Sequence, residues 1–239
     1  YLTTTGSSGP YADTIGDPST TYASCRQSYS VMMTDGIWNS AGPGTSVGNE
    51  DNSGLTLPDG RTYTPQAPYS DSNSASLADI AFKYWKTDLQ PGIPNLTRPY
   101  LPFASTSTPT TAEYWDPRND PANWQHMTSF FVGLGLSASL RDPDWMGSTY
   151  AGSATAPYSG YYSILRGGMP WPGTWDNSDG NVADMWHGAI NSRGAFFSAE
   201  TPAAMLDAFR QINNRIADGV GASTAVAASS VQVQTESMA

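Results

Sequence analysis

Strand-like and helix-like hydrophobic periods alternate along this chain, and that alternation constrains the fold more than any other feature. Tyr29, Val31 and Met33 alternate with Ser30 and Met32, and Thr34-Asp35-Gly36 closes the run as a turn. The spacing predicts a strand whose carboxyl end is followed at once by Asp35. Leu77, Ile80, Ala81, Tyr84 and Trp85 then recur at helical spacing, with Ser76 as N-cap and Asp79 completing a capping box, and this helix should stop near Thr87. Met127 to Leu134 (MTSFFVGL) is short, β-branched and aromatic, and reads as a buried strand. Val182, Met185, Trp186, Ala189 and Ile190 mark a second helix, which Gly194 is placed to end in the left-handed conformation. Ala195 to Ser198 is a third strand. A last helix has Thr201 as N-cap and Pro202 at its first position; it should bury Met205, Leu206, Phe209, Ile212 and Ile216 and end at Asp218-Gly219.

This order predicts an α/β fold: a doubly wound, mostly parallel, Rossmann-like sheet covered on both faces, with right-handed crossovers. Such sheets usually have five or six strands, so the missing ones are expected from polypeptide upstream of Tyr1. The chain opens on Tyr1 with no initiator Met, basic n-region or apolar signal segment, as an interior piece of a longer protein would. Residues 1–24, rich in Thr, Ser, Gly and Pro without a period, read as a linker.

Three connections are long: 36–75, 88–126 and 135–181. The first and third leave strands at their carboxyl ends and should crowd the edge that carries Asp35. Their aromatics (Tyr63, Tyr69, Trp145, Tyr158, Tyr161, Tyr162, Trp171, Trp175) suit either an adhesive surface or pins for loops that lack secondary structure.

Composition narrows the function classes. Eleven basic against 21 acidic residues give a net charge of −10, which excludes a phosphate-neutralising nucleic-acid binder. Charged residues are 13% of the chain, about half the usual ~25%, and 23 glycines and 18 prolines accompany them. Such a neutral, turn-rich surface is commoner on secreted bacterial proteins. No run of 18 apolar residues occurs, so no membrane span is expected. Cys25 is the only cysteine, and either pairs with a thiol outside this sequence or is a buried unpaired residue.

Catalytic constellations are not assembled. No G-x-S-x-G elbow, G-x-G-x-x-G or G-x-x-x-x-G-K-[ST] follows a strand, and two histidines with one cysteine nominate no nucleophile and base. His126 and His187 have no His, Cys or Glu at i+3 or i+4 and read as packed side chains. Asp176-Asn177-Ser178-Asp179-Gly180 resembles a calcium loop, but its glycine falls at position five and His187 stands where the closing Glu belongs, so it reads as a turn. Asp17-Pro18-Ser19-Thr20-Thr21 imitates a metal motif, yet no helix separates it from Asp35, and it reads as a decoy. Eight Trp and 13 Tyr on an acidic chain keep open a secreted carbohydrate-binding or carbohydrate-active protein, with Asp142 and Asp144 as candidate carboxylates.

Four segments carry a family resemblance. Cys25 to Asn39 (CRQSYSVMMTDGIWN) resembles the strand and metal-site turn of von Willebrand factor type A domains, whose fourth strand ends in T-D-G. Joined in order by Leu77 to Leu89, Trp124 to Gly135 and Asp184 to Ala199, it resembles the A-type domain of PilY-type proteins, the tip-associated adhesins and assembly factors of bacterial type IV pili. The resemblance covers Cys25 to Ser230. It implies that residues 25–219 are the C-terminal portion of a von Willebrand factor A-like domain with long loop insertions. Residues 220–239 would then lead to a C-terminal β-propeller, and an upstream half-domain would hold an Asp-x-Ser-x-Ser motif. It further implies Mg²⁺ or Ca²⁺ at a metal-ion-dependent adhesion site in which Asp35 matches the acidic residue of the third motif. One aspartate cannot supply the roughly six oxygens such a cation needs. The implied protein is extracellular, at the pilus tip, and not an enzyme. Its partners would be minor pilins, a surface or host-cell receptor and the rest of its own polypeptide, and twitching motility would depend on it. A disulfide from Cys25 to an upstream cysteine would tie the Asp35 strand to the preceding chain.

Overall fold

The strand that runs into Asp35 forms as β1 (Ser28–Thr34), and among the described residues it belongs to a three-stranded parallel sheet in which β4 (Met127–Leu134) lies between β1 and β5 (Ala195–Ala199). The computed structural model describes residues 1–35, 47–135, 164, 167–168, 170–174 and 180–220. β4 (Met127–Leu134) is central and pairs with β1 from Ser28↔Met127 to Thr34↔Gly133, and with β5 (Ala195–Ala199) from Phe130↔Ala195 to Leu134↔Ala199. Its apolar run is continuous because both of its faces are covered.

Helices take the two faces as the crossovers require. α1 (Leu77–Lys86) and α3 (Gly180–Asn191) lie side by side on one face, where Phe131 and Phe196 join Phe82, Trp85, Val182, Trp186 and Ile190 in the larger core. α4 (Pro202–Val220) covers the other face, against Phe130, Val132, Phe197 and Ala199. The first two connections move the sheet in one direction, so two right-handed crossovers put α1 and α3 on the same side. Full burial of Phe82 and Trp85 contributes roughly 2 to 3 kcal/mol apiece by the area rule.

The ends of the elements follow their local chemistry. Ser76 Oγ accepts from Asp79 N at 3.1 Å while Asp79 Oδ2 accepts from Ser76 N at 3.0 Å, which is the expected capping box, and Thr87 is the C-cap. At the end of α3 the left-handed residue is Arg193 (φ 61) and not Gly194. Gly194 N donates to the Ala189 carbonyl at 2.9 Å and Arg193 N to the Ile190 carbonyl at 3.1 Å, the two bonds of a Schellman motif one residue earlier than expected. Gly194 is needed for space instead: a Cβ there would stand 1.9 Å from the Ser129 carbonyl oxygen of β4. Thr201 Oγ1 accepts from Ala204 N at 3.1 Å as α4 begins. Ile212 is buried and Met205, Phe209 and Ile216 are packed as expected, but Leu206 is 57% exposed, because the apolar stripe passes through Ala208 instead.

The long connections contain structure that periodicity did not announce. A two-stranded antiparallel ribbon, β2 (Leu55–Thr56) and β3 (Thr62–Tyr63), sits in the first, and a single-turn helix, α2 (Thr111–Tyr114), in the second. Residues 1–24 carry no long element, only a 3₁₀ turn at Gly6–Ser8 and a bridge between Ala12 and Tyr22. They are nonetheless stitched to the body: Tyr11 is buried with its hydroxyl 3.0 Å from Ser28 Oγ, and Gln90 Nε2 donates to the carbonyls of Leu2 and Thr4.

Candidate functional site at the carboxyl edge

Asp35 follows β1 directly and is exposed, so the strand delivers it to the carboxyl edge of the sheet as its sequence predicts. That edge is where open parallel sheets place their ligands. Among the described residues, however, no group of three or more His, Cys, Asp or Glu side chains could hold a metal ion. Asp35 is one carboxylate in solvent and does not fit a cation on its own. Asp17 is likewise engaged locally, its Oδ1 accepting from Ser19 N at 2.8 Å and Ser19 Oγ at 2.7 Å. The Asp176 loop apart from Gly180, and Asp142 with Asp144, lie outside the described residues; Gly180 opens α3.

Beneath the edge, where α1 begins, buried acids converge in a way the sequence reading missed. Asp184, on α3, accepts from Leu77 N at 2.8 Å and Ala78 N at 3.0 Å. These are the orphan donors of the α1 N-terminus, where a foreign anion would otherwise bind. The protein therefore fills this position with its own carboxylate and clamps two helices together. Asp79 Oδ1 accepts from Glu50 N at 2.7 Å, and Asp51 Oδ2 accepts from Asn191 Nδ2 at 2.8 Å. His187 completes the network: Nε2 donates to the Tyr69 carbonyl at 2.6 Å and lies 3.6 Å from Asp51 Oδ2, while Nδ1 lies 3.6 Å from Asp71 Oδ2. Trp171 stacks on its ring at 4.3 Å between centroids and donates Nε1 to the Pro68 carbonyl. A linear reading does not show such a cluster, since Asp51, Asp71, Asp79 and the Asp184–His187 pair come from four separate segments.

The electrostatics follow from that enclosure. Burial pushes the Asp51 carboxyl up to about 7, against the lowering effect of His187, and Asp71 and Asp79 add repulsion. Burial likewise lifts Asp184 to about 6, although the Leu77 and Ala78 amides favour its charged form. Desolvation alone would lower His187, but Asp71 and Asp51 outweigh it and raise the imidazole. Burial would raise Asp71, yet its hydrogen bonds with His187 and Asn73 bring it below the ordinary carboxylate value. Both ring nitrogens face acceptors, so His187 is a packed side chain with neither nitrogen open to a metal.

His126 is built the same way at the opposite edge. Nδ1 lies 2.7 Å from the Trp124 carbonyl and Nε2 3.0 Å from Asp120 Oδ2. Burial opposes charge on both, but the pair with His126 and the nearby Arg215 hold Asp120 well below the carboxylate range, and Asp120 raises His126. Both histidines are thus packed and hydrogen-bonded, as the sequence reading held.

The described aromatics of the long connections are pins and not an adhesive display. Tyr63, Tyr69 and Trp171 are buried; Tyr69 donates its hydroxyl to the Trp115 carbonyl at 2.6 Å and stacks at 5.9 Å on that ring. These contacts pin the described part of the first connection, 47–75, to the body of the protein. Trp145, Tyr158, Tyr161, Tyr162 and Trp175 lie outside the described residues. Trp85, Trp124 and Trp186 are buried too and Trp115 packs half-buried against the same core, so four of the five described tryptophans lie in the core and not on a sugar-binding surface.

With this geometry in place, comparison with known proteins decides the resemblance. The chain is 48% identical over 216 residues, 90% of its length, to the type IV pilus biogenesis factor PilY1 of Pseudomonas aeruginosa strain PAK. Over that length it is a PilY1 relative. The PilY1 of strain PAO1 is 47% identical over the same share, and that of strain UCBPP-PA14 is 50% identical over 199 residues, 82% of the chain. The chain spans 18% of the length of the first two of these PilY1 proteins and 16% of the third. No family model matches it, and no solved structure matches it. The PilY1-like region includes the turn at Asp35, both helices of the acid clamp and all three strands of the parallel sheet.

Proposed function

We propose that this chain is part of a type IV pilus biogenesis factor that acts outside the cell, at the pilus tip, as a binding protein and not a catalyst. The observation that carries this reading is the identity of nearly one residue in two with PilY1 across nine tenths of the chain. The chemistry agrees with it: among the described residues the buried carboxylates and histidines are engaged in internal hydrogen bonds, and Thr128 Oγ1, 3.5 Å from His126 Nε2, is buried and donates to Asp120 Oδ2. No described helix is long and apolar enough to cross a membrane. In this reading the domain is the later portion of a von Willebrand factor A-like fold, its partners are minor pilins and a surface or host-cell receptor, and 220–239 leads to a further domain. Asp35 joins a Mg²⁺ or Ca²⁺ site only if the remaining polypeptide brings the other oxygens. Cys25, exposed three residues before β1, is free to meet a cysteine from that same polypeptide.

The test is removal of residues 25–219 from the full-length protein in its own host. Loss of surface pili, twitching and attachment is expected, with the truncated protein still secreted. Normal piliation and attachment by that strain would overturn the reading.

A further inference from the structure

We propose that the chain binds a small carboxylate with an apolar body in a cavity at the amino edge of the sheet, opposite the edge that carries Asp35. The cavity holds about 350 Å³ between α4, the turn entering β5 and the 100–118 segment. Three of the chain's nine arginines, Arg118, Arg193 and Arg215, line it. That is a concentration of cationic groups in a chain whose net charge is −10.

Each guanidinium is held against a ring. Arg118 lies over Phe103 at 3.8 Å and Arg215 over Tyr100 at 3.4 Å, and both rings line the same cavity. Arg193 lies over Tyr69 at 4.3 Å and Trp85 at 4.5 Å. Stacking fixes the plane of a guanidinium and leaves its N–H edge for a planar two-oxygen acceptor, which a carboxylate matches. Those edges are not all used. Arg193 is 1% exposed, and its Nη1 donates to the Tyr69 hydroxyl, yet its Nε and Nη2 have no hydrogen-bond partner. Arg215 Nη2 lies 3.7 Å from Asp120 Oδ2, whereas its Nη1 has none. Buried donors of a charged group left unpaired are costly, and an acceptor that enters the cavity and displaces the side chains now covering these atoms removes that cost.

The charge available sets the class of ligand. Asp116 already holds Arg118 through two bonds of 3.0 and 2.7 Å, Asp120 offsets Arg215, and Asp218 also lines the cavity. These three aspartates match the three arginines in charge, so no surplus is left to hold a polyanion, and it is the unpaired N–H groups of Arg193 and Arg215 that select a single carboxylate. Phe130 and Phe197 supply an apolar wall from β4 and β5. The volume is at the small end of ligand cavities, about the size of an amino acid or dipeptide. This inference is independent of the pilus reading.

The probe is N-acetyl-L-phenylalanine, with its amide as the uncharged control, titrated into the 239-residue chain while the side-chain Nε–H signals of Arg193 and Arg215 are followed by NMR. Saturable shifts with the acid, and at least tenfold weaker binding of the amide, are expected. Arg215→Gln should weaken the acid at least tenfold. Asn214→Trp, at an exposed position of α4 bordering the cavity, should block it while leaving the circular dichroism spectrum unchanged, and it decides the matter should Arg215→Gln not fold. A tetrapeptide ending in Phe with a free carboxyl distinguishes sources: equal or tighter binding assigns the site to a polypeptide end, weaker binding to a free acid. Equal binding of acid and amide, no shift, or unchanged binding in Asn214→Trp would overturn the proposal.

Discussion

Asp51 and Asp184 show what burial does to a carboxylate when its neighbours are other carboxylates. Their folded values, about 7 and about 6, lie above the ordinary 3.8, so the folded state holds their protons more tightly than the unfolded chain does. Stability from these two groups is complete below about pH 4 and is lost as pH rises to 7. His187 and His126, both raised, act in the same direction: their contribution is present below about 6.5 and is lost as pH rises through their folded values. Asp71 and Asp120 are lowered and act oppositely, contributing above about pH 4 and losing that contribution as pH falls. The urea midpoint is therefore expected to be highest near pH 5 and to fall steadily toward pH 8. Asp51→Asn removes the carboxyl that titrates nearest neutrality and should make that fall shallower. A midpoint that climbs from pH 5 to 8, or a slope that Asp51→Asn leaves untouched, would show that the network is not the source.

At the scale of elements, the turn from α3 into β5 is the tightest junction described. A Cβ on Gly194 would meet the Ser129 carbonyl oxygen at 1.9 Å and its carbon at 2.6 Å, and both belong to the backbone of the central strand. No rotamer relieves that overlap. Gly194→Ala should cost upward of about 3 kcal/mol, whereas Gly92→Ala, whose Cβ meets nothing within 4 Å, should stay within about 0.5 kcal/mol of the parent. Equal urea midpoints for the two variants would refute the close approach. This junction also marks the limit of what was legible beforehand. α1 and β4 could be read to the residue because capping chemistry and an unbroken apolar run are local signals. The Schellman position could not, since whether a glycine is kept for its φ or for lack of a Cβ depends on a strand sixty residues away. Tyr69 and Trp171 look the same in sequence whether they face solvent or pin a loop, and the Asp51, Asp71, Asp184 and His187 network joins residues that only the tertiary fold brings together. Of the candidate edge site, the placement of Asp35 was legible and the clamp beneath it was not.

For the whole molecule, the unequal cover of the sheet argues that β1 is an inner strand left at the margin. Val31 and Met33 share the α4 face with Phe130 and Val132, and Met32 shares the other face with Phe131. The β4 residues are buried, yet Val31, Met32 and Met33 are 44, 39 and 50% exposed. Consecutive residues of a strand point to opposite faces, so three exposed apolar side chains in a row mean that neither layer extends past β1. Among the described residues no strand pairs with their outer backbone groups, an edge of the kind that pairs with further chain. A strand from the remaining polypeptide would bury both. Hydrogen exchange reads this directly: in the 239-residue chain the β1 amides that do not bond to β4 should exchange as fast as loop amides, and in a longer polypeptide carrying the proposed upstream half-domain they should be protected at least a hundredfold. Protection already complete in the 239-residue chain as a monomer, or none gained in the longer one, would mean that β1 is a true edge and that the sheet is finished with three strands.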